Sequence, residues 1–84
     1  PNDPFILDSM GWVRFRMGQV DRAADYLRRA YGLRPEPDIG AHLAEVLWKQ
    51  GNRDVATDLL RDAYRKDATN ATLLDTLKRL GVRP

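Results

Sequence analysis

His42 is the one histidine in the 84 residues, and there is no cysteine. A metal centre draws on His, Cys and carboxylates at set spacings, and one histidine among scattered acids does not supply them. A nucleophilic catalyst needs a hydroxyl or thiol, a base to activate it and an acid to orient that base. Ser9 offers a hydroxyl, but it lies 33 residues before His42 and no local motif ties the two. No Gly-x4-Gly-Lys stretch is present to cradle phosphate. No catalytic residue, metal ligand or cofactor is expected. What remains is recognition chemistry. Trp12 and Trp48 are large amphipathic side chains of the type enriched in binding hot spots. Charged residues of both signs (Asp8, Arg16, Glu45, Lys49, Asp75, Arg79) accompany them at helical spacing.

The bulk composition agrees. Apolar residues make up 43% and charged residues 31% of the chain, and the net charge is +2. That balance suits a folded domain and leaves no apolar run near the roughly 20 residues of a membrane helix, so no direct membrane insertion is expected. Eighty-four residues allow one domain. Arginine is abundant, which raises nucleic-acid binding as an alternative. However, the arginines at 22, 28, 29, 53, 61 and 65 are interleaved with Asp21, Asp25, Asp54, Asp58 and Asp62, and acidic neighbours repel phosphate. The absence of cysteine leaves the compartment open. The chain starts at Pro1 without an initiator methionine and is expected to be a piece of something longer.

Five helices are expected. Asp3-Pro4 opens the first, with Asp as cap and Pro where its missing N–H costs nothing. Phe5, Ile6, Leu7, Met10, Gly11, Val13 and Met17 supply its apolar positions, and Gly18 stops it. Asp21 is the expected cap of the second, whose apolar face is Ala23, Ala24, Leu27, Ala30 and Tyr31. Leu33 closes it before Pro35-Glu36-Pro37. The third runs from about Pro37 to Gln50, burying Leu43, Ala44, Val46, Leu47 and Trp48. Asp54 is the expected cap of the fourth, with Ala56, Leu59, Leu60, Ala63 and Tyr64 inward. Asn70 caps the last, about Ala71 to Leu80, which uses Leu73, Leu74, Leu77 and Leu80 and ends at Gly81.

A ladder of small and apolar residues then repeats. Met10-Gly11, Gly18, Ala23, Leu27, Ala30 and Pro35 recur 33 residues later as Leu43-Ala44, Gly51, Ala56, Leu60, Ala63 and Ala68. Small residues at a crossing let two antiparallel helices approach closely. Neither pair can bury its apolar face alone, so pairs stack into a continuous core.

At these residues the chain resembles the tetratricopeptide repeat (TPR) family. Leu7, Met10-Gly11, Gly18, Ala23, Leu27, Ala30 and Pro35 match one unit. Leu43-Ala44, Gly51, Ala56, Leu60 and Ala63 match a second, and Leu74 and Leu77 begin a third. Pro1-Asn2-Asp3 looks like the tail of a preceding unit. The resemblance implies an all-α, right-handed α-solenoid of antiparallel helix pairs. Its units would be 3–36, 37–69 and a C-terminal capping helix at 70–84. Departures are Arg14 at an aromatic position, Gly40 at a large one and Lys78 at a small one. The stretches Leu7–Val13 and Ala41–Trp48 look like the C-terminal end of multi-repeat lipoproteins of proteobacterial outer membranes. Some of that group resemble adaptors that present substrates to a periplasmic processing protease. That likeness implies the periplasmic side of the outer membrane; otherwise the cytoplasm is expected.

The resemblance also implies a non-catalytic interaction module whose first-of-pair helices line a concave groove for a protein or peptide partner. The outward residues of those helices include Phe5, Asp8, Ser9, Trp12, Phe15, Arg16, Asp38, Ala41, His42, Glu45 and Lys49, and then Thr72, Asp75, Thr76 and Arg79. Helical spacing sets Asp8, Trp12 and Phe15 or Arg16 along one side. Trp12 serves either as a ligand anchor or as packing for a preceding unit, and Trp48, paired with Phe15, as packing between units. Binding of an acidic C-terminal peptide is not expected, because Asp8, Trp12, Ala41 and Glu45 occupy much of the surface. The charges read as a solvated face. The exposed N-terminal face is expected to self-associate weakly through Phe5 and Trp12.

Overall fold

The computed structural model describes residues 2–84, which hold five helices and no strand. They are α1 (Pro4–Arg16), α2 (Val20–Leu33), α3 (Pro37–Lys49), α4 (Arg53–Lys66) and α5 (Ala71–Leu80). The fold is an all-α solenoid of antiparallel helix pairs. α1 packs most extensively on α2 and α3 on α4, and α2 and α5 flank α3. Pro1, and with it part of the expected tail of a preceding unit, lies outside the described residues.

The starts and stops follow from local chemistry. The Asp3 carboxylate accepts the N–H groups of Phe5 (2.8 Å) and Ile6 (3.3 Å), which would otherwise be orphan donors of α1. Asn70 does the same for Leu73 N–H at 2.9 Å. α1 and α3 end in the same two-bond turn. Gly18 N–H donates to the Phe15 carbonyl and Gln19 N–H to that of Arg14; Gly51 and Asn52 repeat this with Trp48 and Leu47. Such a turn needs a left-handed residue, and Gly18 and Gly51 adopt it at φ +81° and +87°.

That turn corrects two expected caps. It uses the glycine and the next residue, so α2 restarts at once behind Gln19 and α4 behind Asn52. Asp21 and Asp54 fall inside the first turn, where their charge still complements the helix N-terminus. Asp21 accepts a hydrogen bond from Gln50 Nε2 at 3.0 Å instead. Gln50 itself is the C-cap of α3, one residue beyond the helix.

The small-residue ladder marks the close approaches. A Cβ on Gly11 would lie 2.7 Å from Leu27 Cγ and 3.2 Å from the Ala23 carbonyl oxygen. Ala23, Ala30, Ala44, Ala56 and Ala63 are buried, as are Leu27, Leu43 and Leu60. Gly40 has a packing reason: the Tyr31 ring fills the space, 3.1 Å from where a Cβ would stand. Ile39, not anticipated inside, is fully buried in a cluster with Leu7 and Ala30, against Tyr26 and Tyr31.

The apolar residues of α1 divide differently from expectation. Only Leu7 and Gly11 are buried. Phe5, Ile6, Val13 and Met17 are about half or more exposed, and Met10, expected in the packing, is half-buried. Ile6, Met10 and Val13 stand 33 residues before Ile39, Leu43 and Val46, all buried on α3. On α3 a neighbouring pair covers that face. On α1 it forms one wall of a shallow depression lined by Ser9, Met10, Val13, Arg14 and Met17. Leu74 on α5 is likewise exposed, whereas Leu73, Thr76 and Leu77 are buried.

The α4–α5 link carries an acid-sensitive turn. Asp67 accepts hydrogen bonds from Thr69 Oγ1 (2.8 Å) and Thr69 N–H (3.0 Å). Those bonds, the hydroxyl's first, hold its carboxyl below the ordinary value. A carboxyl lowered by folding favours the fold only while ionised. Its contribution is therefore present above about pH 4 and lost as pH falls below that. Asp67→Ala is expected to be less stable than wild type at neutral pH, with the gap closing at about pH 2. Urea denaturation followed by circular dichroism at both pH values checks this; a gap of equal size at both would refute it.

Candidate functional site

The inner face is built by α1, α3 and α5, the first helix of each pair. Three polar contacts cross it between successive units. His42 Nδ1 meets Asp8 Oδ1 at 2.8 Å. Arg79 holds both oxygens of Glu45, at 2.7 and 2.9 Å. Asn70 Nδ2 donates to Asp38 Oδ1 at 2.6 Å. Asp8 and Glu45 side chains retain only 14% and 16% of their exposure. These carboxylates do not form the solvated face expected of them: each is answered by the following unit. Arg79 also takes Asp75 Oδ2 at 2.8 Å, and the pair of carboxylates, Glu45 first, raises its pKa above the ordinary value.

Trp12 joins this seam. Its ring stacks on His42 with centroids 4.1 Å apart and planes at 19°. The Phe15 ring is tilted against that of Trp12, with centroids 5.1 Å apart. Trp12 and Phe15 are both half-buried against the core. Trp12 thus turns toward the second unit and away from the open apolar face of α1, where a seam for self-association was expected to use it. The two roles weighed for Trp12 were ligand anchor and packing for a preceding unit; its observed packing is with the following one.

The other expected groove residues are placed as follows. Phe5 is exposed, with the Arg34 guanidinium 5.6 Å from its ring centre, one helix end away from the Trp12 stack. Ser9 is exposed and borders the apolar depression instead of the inner seam. Arg16 and Lys49 are exposed in the last turns of α1 and α3. Ala41, expected to face outward, is fully buried. Trp48 is half-buried against the core, with Arg53 over its ring at 4.8 Å. Asn70, expected only as a helix cap, was missed as a residue that also bonds across the inner face. Among the described residues no group of three or more His, Cys or carboxylate side chains is placed to hold a metal ion.

The arrangement sets a partly apolar stacked surface beside hydrogen-bonded polar groups. No protein-family model matches the chain. Over 45 residues it is 49% identical to a TPR repeat-containing protein of Pseudomonas aeruginosa, a match spanning 54% of this chain and 8% of that relative. The chain is thus similar, across about half its length, to a small part of a much longer helical-repeat protein.

Proposed function

We propose that the chain is a non-catalytic protein-interaction module of the TPR kind, carried within a longer scaffold or adaptor. The units would be residues 3–36 and 37–69, with 70–84 as a capping helix. Its inner face would receive a protein or peptide partner. The observation that carries this reading is the inner face itself: three first-of-pair helices joined by inter-unit polar bonds around an accessible aromatic stack. The printed description of the Pseudomonas relative supports the repeat class. A setting in a proteobacterial outer-membrane lipoprotein belongs to the same proposal, and an N-terminal lipidation signal in the parent sequence would test it.

The experiment is affinity capture with the parent protein, wild type and Trp12→Ala, followed by quantitative mass spectrometry. A partner held by wild type and lost by a variant with an unchanged circular-dichroism spectrum supports the groove. Identical partners at identical yield in both would remove the inner face from the account.

A further inference from the structure

Asp8 is a carboxylate with an incomplete answer. Its side chain keeps only 14% of its exposure, and the one polar group it meets among the described residues is His42 Nδ1, at 2.8 Å. An ionised carboxylate only accepts, so Nδ1 carries the hydrogen. While Nε2 is bare the imidazole is neutral, and Asp8 holds a shielded negative charge against a neutral donor. A proton on Nε2 turns the same contact into an ion pair without moving a heavy atom. It also sets a cation on the indole of Trp12, stacked with centroids 4.1 Å apart, and a cation is attracted to that ring face. The proton has a route. The His42 side chain keeps 21% of its exposure, and no unpartnered side-chain nitrogen is shut off from solvent among the described residues.

The charges around the ring favour that proton. From α1, Asp8 is in contact, and Arg16 is exposed one turn beyond Trp12. From α5, Arg79 is shared between Asp75 and Glu45, so these three groups carry a net negative charge. On α3 itself Asp38 precedes His42 by four positions and Glu45 follows it by three, which puts both on its side of the helix. Asp38 is bonded to the uncharged Asn70, and Lys49 is exposed two turns on. α2 and α4 also pack on α3, but their charged groups there meet its far end: Asp21 holds Gln50, and Arg53 lies over Trp48. The acids are thus nearer to the imidazole than the free cations are.

We propose that His42 is an acid-operated clasp between the first two units: a proton taken up on Nε2 tightens α1 against α3. Its position gives it leverage. α1 meets α3 directly only sparsely, and the Asp8 bond and the Trp12 stack are the polar and aromatic contacts between them. The setting of one unit on the next shapes the inner face, whose stiffness then follows pH across about pH 5–8, where histidine exchanges its proton. A proton bound more firmly by the folded chain than by the unfolded one stabilises the fold where it is bound. The gain is present at low pH and is lost as pH rises through that range. This inference goes beyond the interaction-module reading and stands without it.

The test uses the 84-residue chain and two variants. His42→Gln keeps a donor for Asp8 and cannot take up the charge. Asp8→Asn keeps a hydrogen-bonding side chain and removes the acid. Urea denaturation at about pH 5 and pH 8 gives the folding equilibrium constant of each protein. The ratio of wild type to His42→Gln is expected to rise about fivefold from the higher pH to the lower. Groups that both proteins share, the Asp67 turn included, cancel in that ratio. In an Asp8→Asn background the same ratio is expected to stay flat. A ratio for wild type that is flat or falls in acid overturns the clasp, and so does an equal rise in the Asp8→Asn background. A second measurement carries the test should a variant fail to fold. In wild-type protein labelled with nitrogen-15, with Trp48→Phe to assign the indole signals, the Trp12 N–H signal is expected to move in step with the His42 ring signals over the same pH range. A Trp12 signal that stays still while His42 titrates overturns the inference.

Discussion

A Leu27→Ala variant is expected to lose about 2–5 kcal/mol of unfolding free energy. That is a large share of what a domain of this size holds, at roughly 0.05–0.15 kcal/mol per residue. Leu27 is fully buried and stands where α1 and α2 come closest, against Gly11. Removing it deletes apolar contact and opens a cavity that two helices held by short turns cannot readily close. Gly11→Ala probes the same space from the other side. A better helix former gains about 1 kcal/mol, but its Cβ would overlap Leu27 Cγ, and overpacking of this kind costs about 1–3 kcal/mol. In Leu27→Ala the obstruction is gone, so the added methyl partly fills the cavity. The double variant is expected to be more stable than the sum of the single changes allows. Urea denaturation of all four proteins closes the cycle, and additivity within about 0.5 kcal/mol would mean the two sites do not share space.

The second large effect is expected at Arg79. Arg79→Met keeps an apolar stem and removes the fork that holds Glu45. Glu45 is largely shielded, and a shielded carboxylate without its partner is costly. Because Arg79 is itself half exposed, solvent compensates in part, and a loss of about 1–2 kcal/mol is expected. α5 depends on this bond more than its neighbours do, since it rests on α3 and only sparsely on α4. Hydrogen exchange should therefore accelerate in the amides of α5 before those of α3. Adding Glu45→Gln should recover part of the loss by removing the stranded charge. Uniform acceleration along the chain, or no recovery, would contradict this.

The two variants mark what a reader of the sequence can and cannot see. Helix number and the starts at Asp3 and Asn70 were legible because capping is local chemistry written within four residues. The packing of Gly11, Leu27, Ala44 and Leu60 was legible because the repeat printed it twice. The restarts at Gln19 and Asn52 were not, since a cap is decided by where the previous turn leaves the chain. Asp21 and Asp54 are good capping types in the wrong place. The inner face was least legible. Whether Asp8 or Glu45 is solvated depends on a residue 34 positions on, in a different helix, and no local pattern reports it. Gly40 looked like a defect in α3 until Tyr31, on the preceding helix, supplied the missing bulk.

The bonds across the inner face have a further consequence. Asp8 is matched to a histidine, Glu45 to an arginine and Asp38 to an asparagine. Successive units share a backbone plan, yet each junction carries its own lock and key. Exchanging two units would preserve the helices and mismatch the junctions, setting carboxylates against groups that cannot answer them. The order of the units is thereby written into their side chains, and an array grown by duplication would have lost the freedom to be shuffled once these pairings arose.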